Sequence, residues 1–237
     1  MGTALTTALF EAGYRTDGPA GRGAVPAGEV ILLCVPDAEI HSAAAAVAGA
    51  ARFVGHTSGA TSLEALEPAA RGGAELLGLH PLQSLADDHA SLRGIGCAVA
   101  GSSPAAEAAA TVIANDLGMS PFVIDDRQRG AYHAAASIAS NFLLTLEAAA
   151  ERMADSAGLG PGEARALLAP LVRTTVDNWA ALGPERALTG PVARGDEATI
   201  ELQRAAVAVA APELVELFDV LLERTRALAA NAVGSAA

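Results

Sequence analysis

Histidine, serine and asparagine recur at a spacing of four in His133-x-x-x-Ser137-x-x-x-Asn141, inside an otherwise alanine-rich stretch. On a helix, positions i, i+4 and i+8 fall within an arc of about 80° and a length of roughly 12 Å. All fifteen basic residues of the chain are arginine, and none is lysine. Proton transfer near neutral pH by a group that alternates between neutral and cationic forms therefore falls to histidine, whose ordinary pKa is about 6.5. His133 is the candidate acid/base, with Ser137 and Asn141 as polar groups that orient a substrate. The competing reading is a packed helix whose histidine satisfies a buried carbonyl.

Three other segments carry polar groups suited to binding. His80-Pro81-Leu82-Gln83 follows a strand-like run, and ligands of open α/β sheets bind outside the carboxyl ends of strands. His80 and Gln83 are thus candidate substrate contacts, unless the histidine only caps backbone in a turn. Thr57-Ser58-Gly59 occupies the equivalent place after a second short strand, as a ligand contact or as a plain serine turn. In Gly190-Pro191-Val-Ala-Arg194-Gly195-Asp196, a glycine-flanked arginine suits a substrate carboxylate or phosphate, while an ion pair with a nearby acid is the alternative. Asp196 stands where a helix N-cap is expected and is grouped with Arg194 as a substrate contact.

These groups need elements to hold them. Thr3 to Ala12 reads as a helix. Glu29 to Val35 is a continuous apolar run closed by Pro36-Asp37, the pattern of a strand buried on both faces. Ala38 to Ala51 and Ser62 to Ala70 read as helices, with a short strand from Arg52 to His56 between them. Ala74 to Leu79, Gly96 to Ala100 and Pro121 to Ile124 read as further strands, and Pro104 to Leu117 as a helix. This alternation implies parallel βαβ units in an open sheet. After Asp126 the strand signals stop, and helices are expected over about 128–157, 161–182, 196–210 and 212–231, with breaks at Gly-Pro pairs. The expected organisation is a dinucleotide-binding domain at 1–125 and a helical substrate or dimerisation domain at 126–237.

A nucleotide-binding βαβ unit opens with a strand and a Gly-x-Gly-x-x-Gly turn that leads into a helix. Gly2 stands at the third glycine of such a turn, with Tyr14-Arg-Thr-Asp17 as the second strand. The first strand and the first two glycines are not in the sequence. Either about ten further residues precede Met1, or the phosphate-binding turn has been lost. Arg22, in Asp17-Gly-Pro-Ala-Gly-Arg22-Gly23, stands just past that second strand, where a 2′-phosphate is held by a bidentate charge-assisted contact. A solvated loop arginine is the alternative. Gly2, Arg22, Val35, Pro36, Asp37, Ser58 and Gly59 together form the candidate cofactor-binding set.

Composition narrows the function classes. The chain has 237 residues, 51% hydrophobic but only 3% aromatic, so its core is built from Ala, Leu and Val. A net charge of −12 argues against nucleic acid or anionic membrane as the main partner. Cys34 and Cys97 lie in apolar runs and read as reduced thiols of a cytoplasmic protein. There is no signal-peptide pattern, and the longest apolar stretch, 42–51, is too short to span a bilayer. No residues show metal-ligand spacing, so no metal is expected. A Gly-x-Ser-x-Gly elbow and a P-loop are both absent. Trp179 and Phe218 read as core or dimer contacts.

Val35-Pro36-Asp37, His56-Thr-Ser-Gly-Ala60, Leu79-His-Pro-Leu-Gln83, Tyr132-His133 through Asn141, and Ala187-Leu-Thr-Gly-Pro191-Val-Ala-Arg-Gly-Asp196 occur in this order. In these motifs the chain resembles the bacterial Rossmann-like proteins that carry the domain of unknown function numbered 2520, and the resemblance covers essentially its whole length. It implies a two-domain relative of the deazaflavin-dependent NADP oxidoreductases, pyrroline-carboxylate reductases and 6-phosphogluconate dehydrogenases, with a 6-phosphogluconate-dehydrogenase-like second domain. A more distant resemblance is to ketopantoate reductases. Their helix after the nucleotide domain carries Lys-x-x-x-Asn-x-x-x-Asn, with the lysine donating a proton during carbonyl reduction. His133 stands at the lysine position.

The expectation is therefore an α/β protein: a Rossmann-like, mostly parallel sheet without its first strand, followed by an all-α domain. The expected activity is NADP-dependent (or NAD-dependent) hydride transfer to or from a small oxo or hydroxy acid, in a homodimer. The alternative from another class is a non-catalytic nucleotide-binding or scaffold protein that dimerises through its helices.

Overall fold

Runs of aliphatic residues become strands wherever both faces can be covered. In the computed structural model, which describes residues 1–84 and 91–234, five strands form one sheet. They are β1 (Val30–Leu33), β2 (Phe53–His56), β3 (Glu75–Pro81), β4 (Gly96–Gly101) and β5 (Ser120–Val123), in that spatial order. The β1–β2, β2–β3 and β4–β5 pairs are parallel, and β3–β4 is antiparallel. The central strands β2 to β4 are buried almost throughout, whereas β5 is an exposed edge.

Helices cover both faces. On one side Leu5 of α1 (Gly2–Glu11) and Ala106, Ala110 and Ile113 of α4 (Pro104–Asp116) pack on Phe53, Leu77, Leu79 and Val99. On the other, Ile40 and Ala44 of α2 (Ile40–Ala46) and Ala69 of α3 (Glu67–Arg71) pack on Ile31, Leu33, Val54, Leu76 and Ala100. The split follows from strand alternation, since successive side chains point to opposite faces. Ser103 caps α4 by accepting the Ala106 N–H at 3.1 Å, and Pro104 opens the helix at the position that lacks a needed donor.

The chain divides into two compact units, Met1–Asn141 and Phe142–Ala237. The strand signals end at residue 125, but the helix that follows, α5 (Arg129–Ala139), is counted with the sheet. Its Arg129 and Tyr132 are anchored on β3 and the β2 turn, as described below. The second unit is formed by α6 (Asn141–Ser156, beyond its first residue), α7 (Pro161–Leu182), α8 (Pro184–Ala187), α9 (Pro191–Arg194), α10 (Glu197–Ala210) and α11 (Val215–Gly234). Among its described residues only Ala164, Ile200, Val207 and Ala211 are buried apolar residues. Leu167, Leu171, Trp179 and Leu182 of α7 are exposed, Trp179 by 56%. They fall within an arc of about 120° on that helix. Leu202 and Val209 of α10 and Val220 and Leu221 of α11 are exposed as well.

Three sequence expectations are corrected. The helix expected over 128–157 is interrupted at Ser140, whose φ and ψ are −119° and −68°, so His133 and Ser137 share α5 while Asn141 opens α6. Adjacent serine and asparagine are weak helix formers that bond backbone locally, and the i+8 alignment of Asn141 on one unbroken helix does not hold. Tyr14–Asp17 forms no strand: among the described residues β1 is an edge strand paired with β2 alone, and Tyr14 hydrogen-bonds Asp116 through its hydroxyl at 2.5 Å. The helix expected over 38–51 is shorter: a 3-10 turn at Asp37–Glu39 leads into α2, which ends at Ala46.

Candidate functional site

Strands β1, β2 and β3 all end at the same sheet edge, and two of them bring a histidine to it. His56 closes β2 and lies in register with Gly78 of β3; His80 follows two residues later, on the same face as Gly78. His56 is fully buried. Its Nδ1 accepts the Ser58 N–H at 3.2 Å, which leaves the proton of the neutral ring on Nε2. Nε2 approaches the Ser62 backbone without meeting hydrogen-bond geometry there. Burial, and then the nearby Arg129 charge, push its pKa down to about 4.

His80 meets α5. Its Nδ1 and the Tyr132 hydroxyl share a hydrogen bond of 2.7 Å, and the two rings stand edge to face with centroids 5.5 Å apart. Tyr132 also packs edge to face on Phe122 of β5, at 5.9 Å. Burial pushes the Tyr132 phenol up to about 12. Burial, followed by the neighbouring His133 and Arg129, pushes His80 down to about 4. The pair is therefore neutral at pH 7.

His133, the next residue on α5, faces His80 with ring centroids 6.2 Å apart. Gly59 closes the group from the turn after β2. A Cβ at Gly59 would stand 2.7 Å from His80 Cε1 and 2.8 Å from His133 Cδ2, distances that real Cβ atoms do not tolerate. Only a glycine lets backbone lie against both rings. The turn itself is tied by Ser58, whose hydroxyl donates to Asp37 Oδ2 at 2.9 Å and accepts the Ala60 and Thr61 N–H groups at 3.2 and 3.0 Å.

Beside the turn lies an ion pair whose arginine is buried and whose aspartate is half-buried. The Arg129 Nε donates to Asp126 Oδ1 at 2.6 Å, and its Nη1 donates to the Ser58 carbonyl at 3.2 Å. Both Asp126 carboxylate oxygens accept the Leu63 N–H, at 3.0 and 3.1 Å. One ion pair thus fastens α5 to the turn after β2 and to the 3-10 turn at Leu63–Leu66.

The structure brings His80, His133, Ser58, Gly59 and Asp37 of the sequence-derived set together. Ser137 is half-buried one turn along α5 from His133, and Asn141 is exposed at the start of α6. Gln83 is exposed and its Oε1 accepts the Ser84 N–H at 3.1 Å, a local contact. Gly2 begins α1 beside Cys34, the residue after β1: a Cβ at Gly2 would lie 3.4 Å from the Cys34 Cβ. Val35 packs on the core, and Pro36 precedes the 3-10 turn that begins at Asp37. Arg22 is exposed and pairs with Glu39 at 2.9 Å. Arg194 and Asp196 belong to the second unit. Arg194 is exposed, and Asp196 caps α10 by accepting the Thr199 N–H at 3.1 Å and its hydroxyl at 2.7 Å. Those hydrogen bonds hold its carboxyl below the usual range. No metal-binding group of three or more His, Cys, Asp or Glu residues occurs among the described residues.

Sequence reasoning gave no role to Arg129, Asp126, His56 or Tyr132. One signal was available for Arg129. Gly78 interrupts an apolar strand, and glycine inside a strand marks the close approach of another group. That group is the Arg129 guanidinium, whose Nη2 would lie 2.3 Å from a Cβ at Gly78.

Comparison with known proteins agrees with this architecture. The profile of a family described as a domain of unknown function (DUF2520) matches residues 95–225, and that of a Rossmann-like domain matches residues 21–81. Protein TM1727 from Thermotoga maritima is 27% identical over 88% of this chain and 81% of its own, with a TM-score of 0.75. BF3122 from Bacteroides fragilis, named as a candidate NADP oxidoreductase, is 21% identical over 94% and 93%, with a TM-score of 0.77. The NADP-bound pyrroline carboxylate reductase of Plasmodium falciparum is 10% identical over 96% and 94%, with a TM-score of 0.60. At such identities the last two speak for the fold. No curated protein sequence matches the chain.

Proposed function

The chain belongs to the DUF2520 family, and from that premise we propose that it is an NADP-dependent oxidoreductase that moves a hydride to or from a small oxo or hydroxy acid. One observation carries this reading: His80, Tyr132 and His133 meet around Gly59 at the sheet edge where ligands of open α/β sheets bind. The NADP held by the Plasmodium pyrroline carboxylate reductase supports the choice of cofactor.

The residues present fit that cofactor. The ten-residue α1 has no side-chain cap at its N-terminus and begins beside the end of β1, so its first N–H groups suit a pyrophosphate. Val35, Pro36, Asp37 and the Ser58–Gly59 backbone follow the same strand ends. Arg22 would leave an exposed pairing with Glu39, which holds little energy, for a bidentate contact with the 2′-phosphate. NADPH supplies the hydride when bound.

The protein's own part is the proton. Negative charge builds on a carbonyl oxygen during its reduction, and a donor within hydrogen-bond reach stabilises it. His133 gives that proton from its ring. His80 and Tyr132 form a neutral, hydrogen-bonded wall that fixes the direction from which His133 is approached. Ser137, one turn along α5 from His133, holds a second polar group of the substrate. The exposed apolar faces of α7, α10 and α11 support pairing of two copies through the helical unit.

Fluorescence titration with NADPH and NADH tests the reading. NADPH is expected to bind at least about tenfold more tightly than NADH, a difference of about 1.4 kcal/mol. Arg22→Ala should erase most of that preference. A chain that binds neither nucleotide is not an oxidoreductase of this kind.

A further inference from the structure

We propose that Arg129 is a positioning residue of this site: seated in the space that Gly78 leaves on the sheet face, it carries the Ser58–Gly59 turn and so fixes where Gly59 meets His80 and His133. The inference rests on the reading of those histidines as the reaction centre.

Arg129 is 1% exposed and is the largest fully buried side chain among the described residues. Its three nitrogens are used differently. Nε is held by Asp126, Nη1 supports the Ser58 carbonyl, and Nη2 lies over Gly78 with no hydrogen-bond partner. A buried cation with an unsatisfied donor is costly, and an apolar side chain of similar volume often replaces such an ion pair without loss of stability. Packing alone therefore does not explain an arginine here. Its planar fork does, because Nε and Nη1 reach two acceptors in fixed directions, which a lysine ammonium does not reproduce.

The acceptors identify the task. Asp126 is itself fixed by the Leu63 N–H, so the guanidinium hangs from a rigid point. The Ser58 carbonyl belongs to the peptide that leads directly into Gly59, and Gly59 is the buried residue wedged against both histidine rings. Moving Nη1 moves that peptide. Gly78 completes the device, since a Cβ there would stand 2.3 Å from Nη2 and force the guanidinium to shift.

The charge adds a second effect. His80 is faced by His56 from β2, by Asp37 after β1, and by Arg129, Tyr132 and His133 from α5, with the Cys97 thiol acting on Tyr132. Burial leads the lowering of the His80 and His56 pKa values, and Arg129 adds to it in both. Removing the guanidinium should let His80 take a proton at higher pH.

The test uses the full chain with Arg129→Met, Arg129→Lys and Gly78→Ala, each first checked by thermal unfolding. Histidine ring resonances are followed against pH, and turnover and KM are measured with NADPH and a panel of small oxo acids. In Arg129→Met the His80 midpoint should rise from about 4 towards the ordinary 6.5. Turnover should fall at least about tenfold, with KM for NADPH changing much less. Arg129→Lys should keep the His80 midpoint low yet lose turnover to a similar degree, which separates the fork from the charge. A folded Arg129→Met variant with the parent's His80 midpoint and turnover would overturn the proposal. Should that variant not fold, parent-like turnover in both Arg129→Lys and Gly78→Ala would overturn it equally. If the parent itself binds no NADPH, the oxidoreductase reading fails, and the His80 midpoint of the variants still decides whether Arg129 acts on the histidine cluster.

Discussion

The Tyr132 hydroxyl and His80 Nδ1 lie 2.7 Å apart, joining α5 to the carboxyl end of β3. Because burial raises the phenol to about 12 and lowers the imidazole to about 4, this bond links two neutral groups. A neutral pair costs less to bury than a charged one and keeps its geometry over the whole physiological pH range. It is suited to hold His133 and Gly59 in place.

Tyr132→Phe keeps the ring against Phe122 but leaves His80 Nδ1 without its partner. The expected loss is about 1 kcal/mol of stability, the net worth of a hydrogen bond at this half-buried position. Denaturant unfolding at pH 7 measures it. Stability equal to the parent's would mean that another polar group takes the place of the hydroxyl.

His133→Ala should slow turnover by about a hundredfold to ten-thousandfold, the usual contribution of a positioned acid or base. NADPH affinity should stay within about twofold, because the ring is assigned to the proton and not to the nucleotide. Steady-state rates and fluorescence titration check the two halves separately. A variant as fast as the parent would take His133 out of the mechanism.

The sheet was readable from the sequence because buried parallel strands are continuous apolar runs, and Val30–Leu33, Glu75–Pro81 and Gly96–Gly101 are such runs. The histidine motifs were readable for a related reason. His80 follows an apolar strand directly, and His133 is the one imidazole in an alanine-rich helix. Arg129 itself was not readable, although Gly78 inside an apolar strand signalled that some group approaches there. Its importance comes from Gly78 on a strand about fifty residues earlier and from the Ser58 carbonyl, and neither contact has a local pattern. The break at Ser140 was missed because alanine-rich flanks give a strong helical period that two polar residues do not visibly interrupt.

Gly59→Ala places a Cβ within 2.9 Å of His80 Nε2 and 2.8 Å of His133 Cδ2. The rings must part or the turn must shift, at a cost of about 1–3 kcal/mol for overpacking. Turnover should fall further than stability, since the displaced atoms belong to the proposed reaction centre. Comparing the unfolding free energy with kcat separates the two effects, and a fully active, destabilised variant would place Gly59 outside the chemistry.

Acid should destabilise the fold before its carboxylates titrate. His56 and His80 have folded pKa values of about 4, below the ordinary 6.5, so the unfolded chain takes up protons first as pH falls. Their neutral forms therefore contribute full stability above pH 6.5, and the contribution is lost progressively from pH 6.5 down to pH 4. For the fully buried His56 the difference corresponds to about 3 kcal/mol. Unfolding free energies between pH 7.5 and pH 4, compared with those of His56→Gln, measure the slope. Parallel curves for parent and variant would mean that His56 is not held neutral.

The helical unit should exist as part of a dimer. Between residues 142 and 234 the described apolar residues that are buried are few, while Leu167, Leu171, Trp179 and Leu182 form an exposed face on α7. A chain of this length normally buries most of its apolar surface, and large exposed apolar faces mark association sites. A second copy of the chain supplies a surface of matching character, and closed twofold pairing is the commonest outcome. Sedimentation should then report twice the 23.6 kDa chain mass. Trp179 is the only tryptophan, so its emission reports this face directly. Leu171→Glu should shift that emission to longer wavelength and halve the sedimenting mass. A parent that sediments as a monomer at micromolar concentration, with Trp179 emitting as in water, would show that the face stays open.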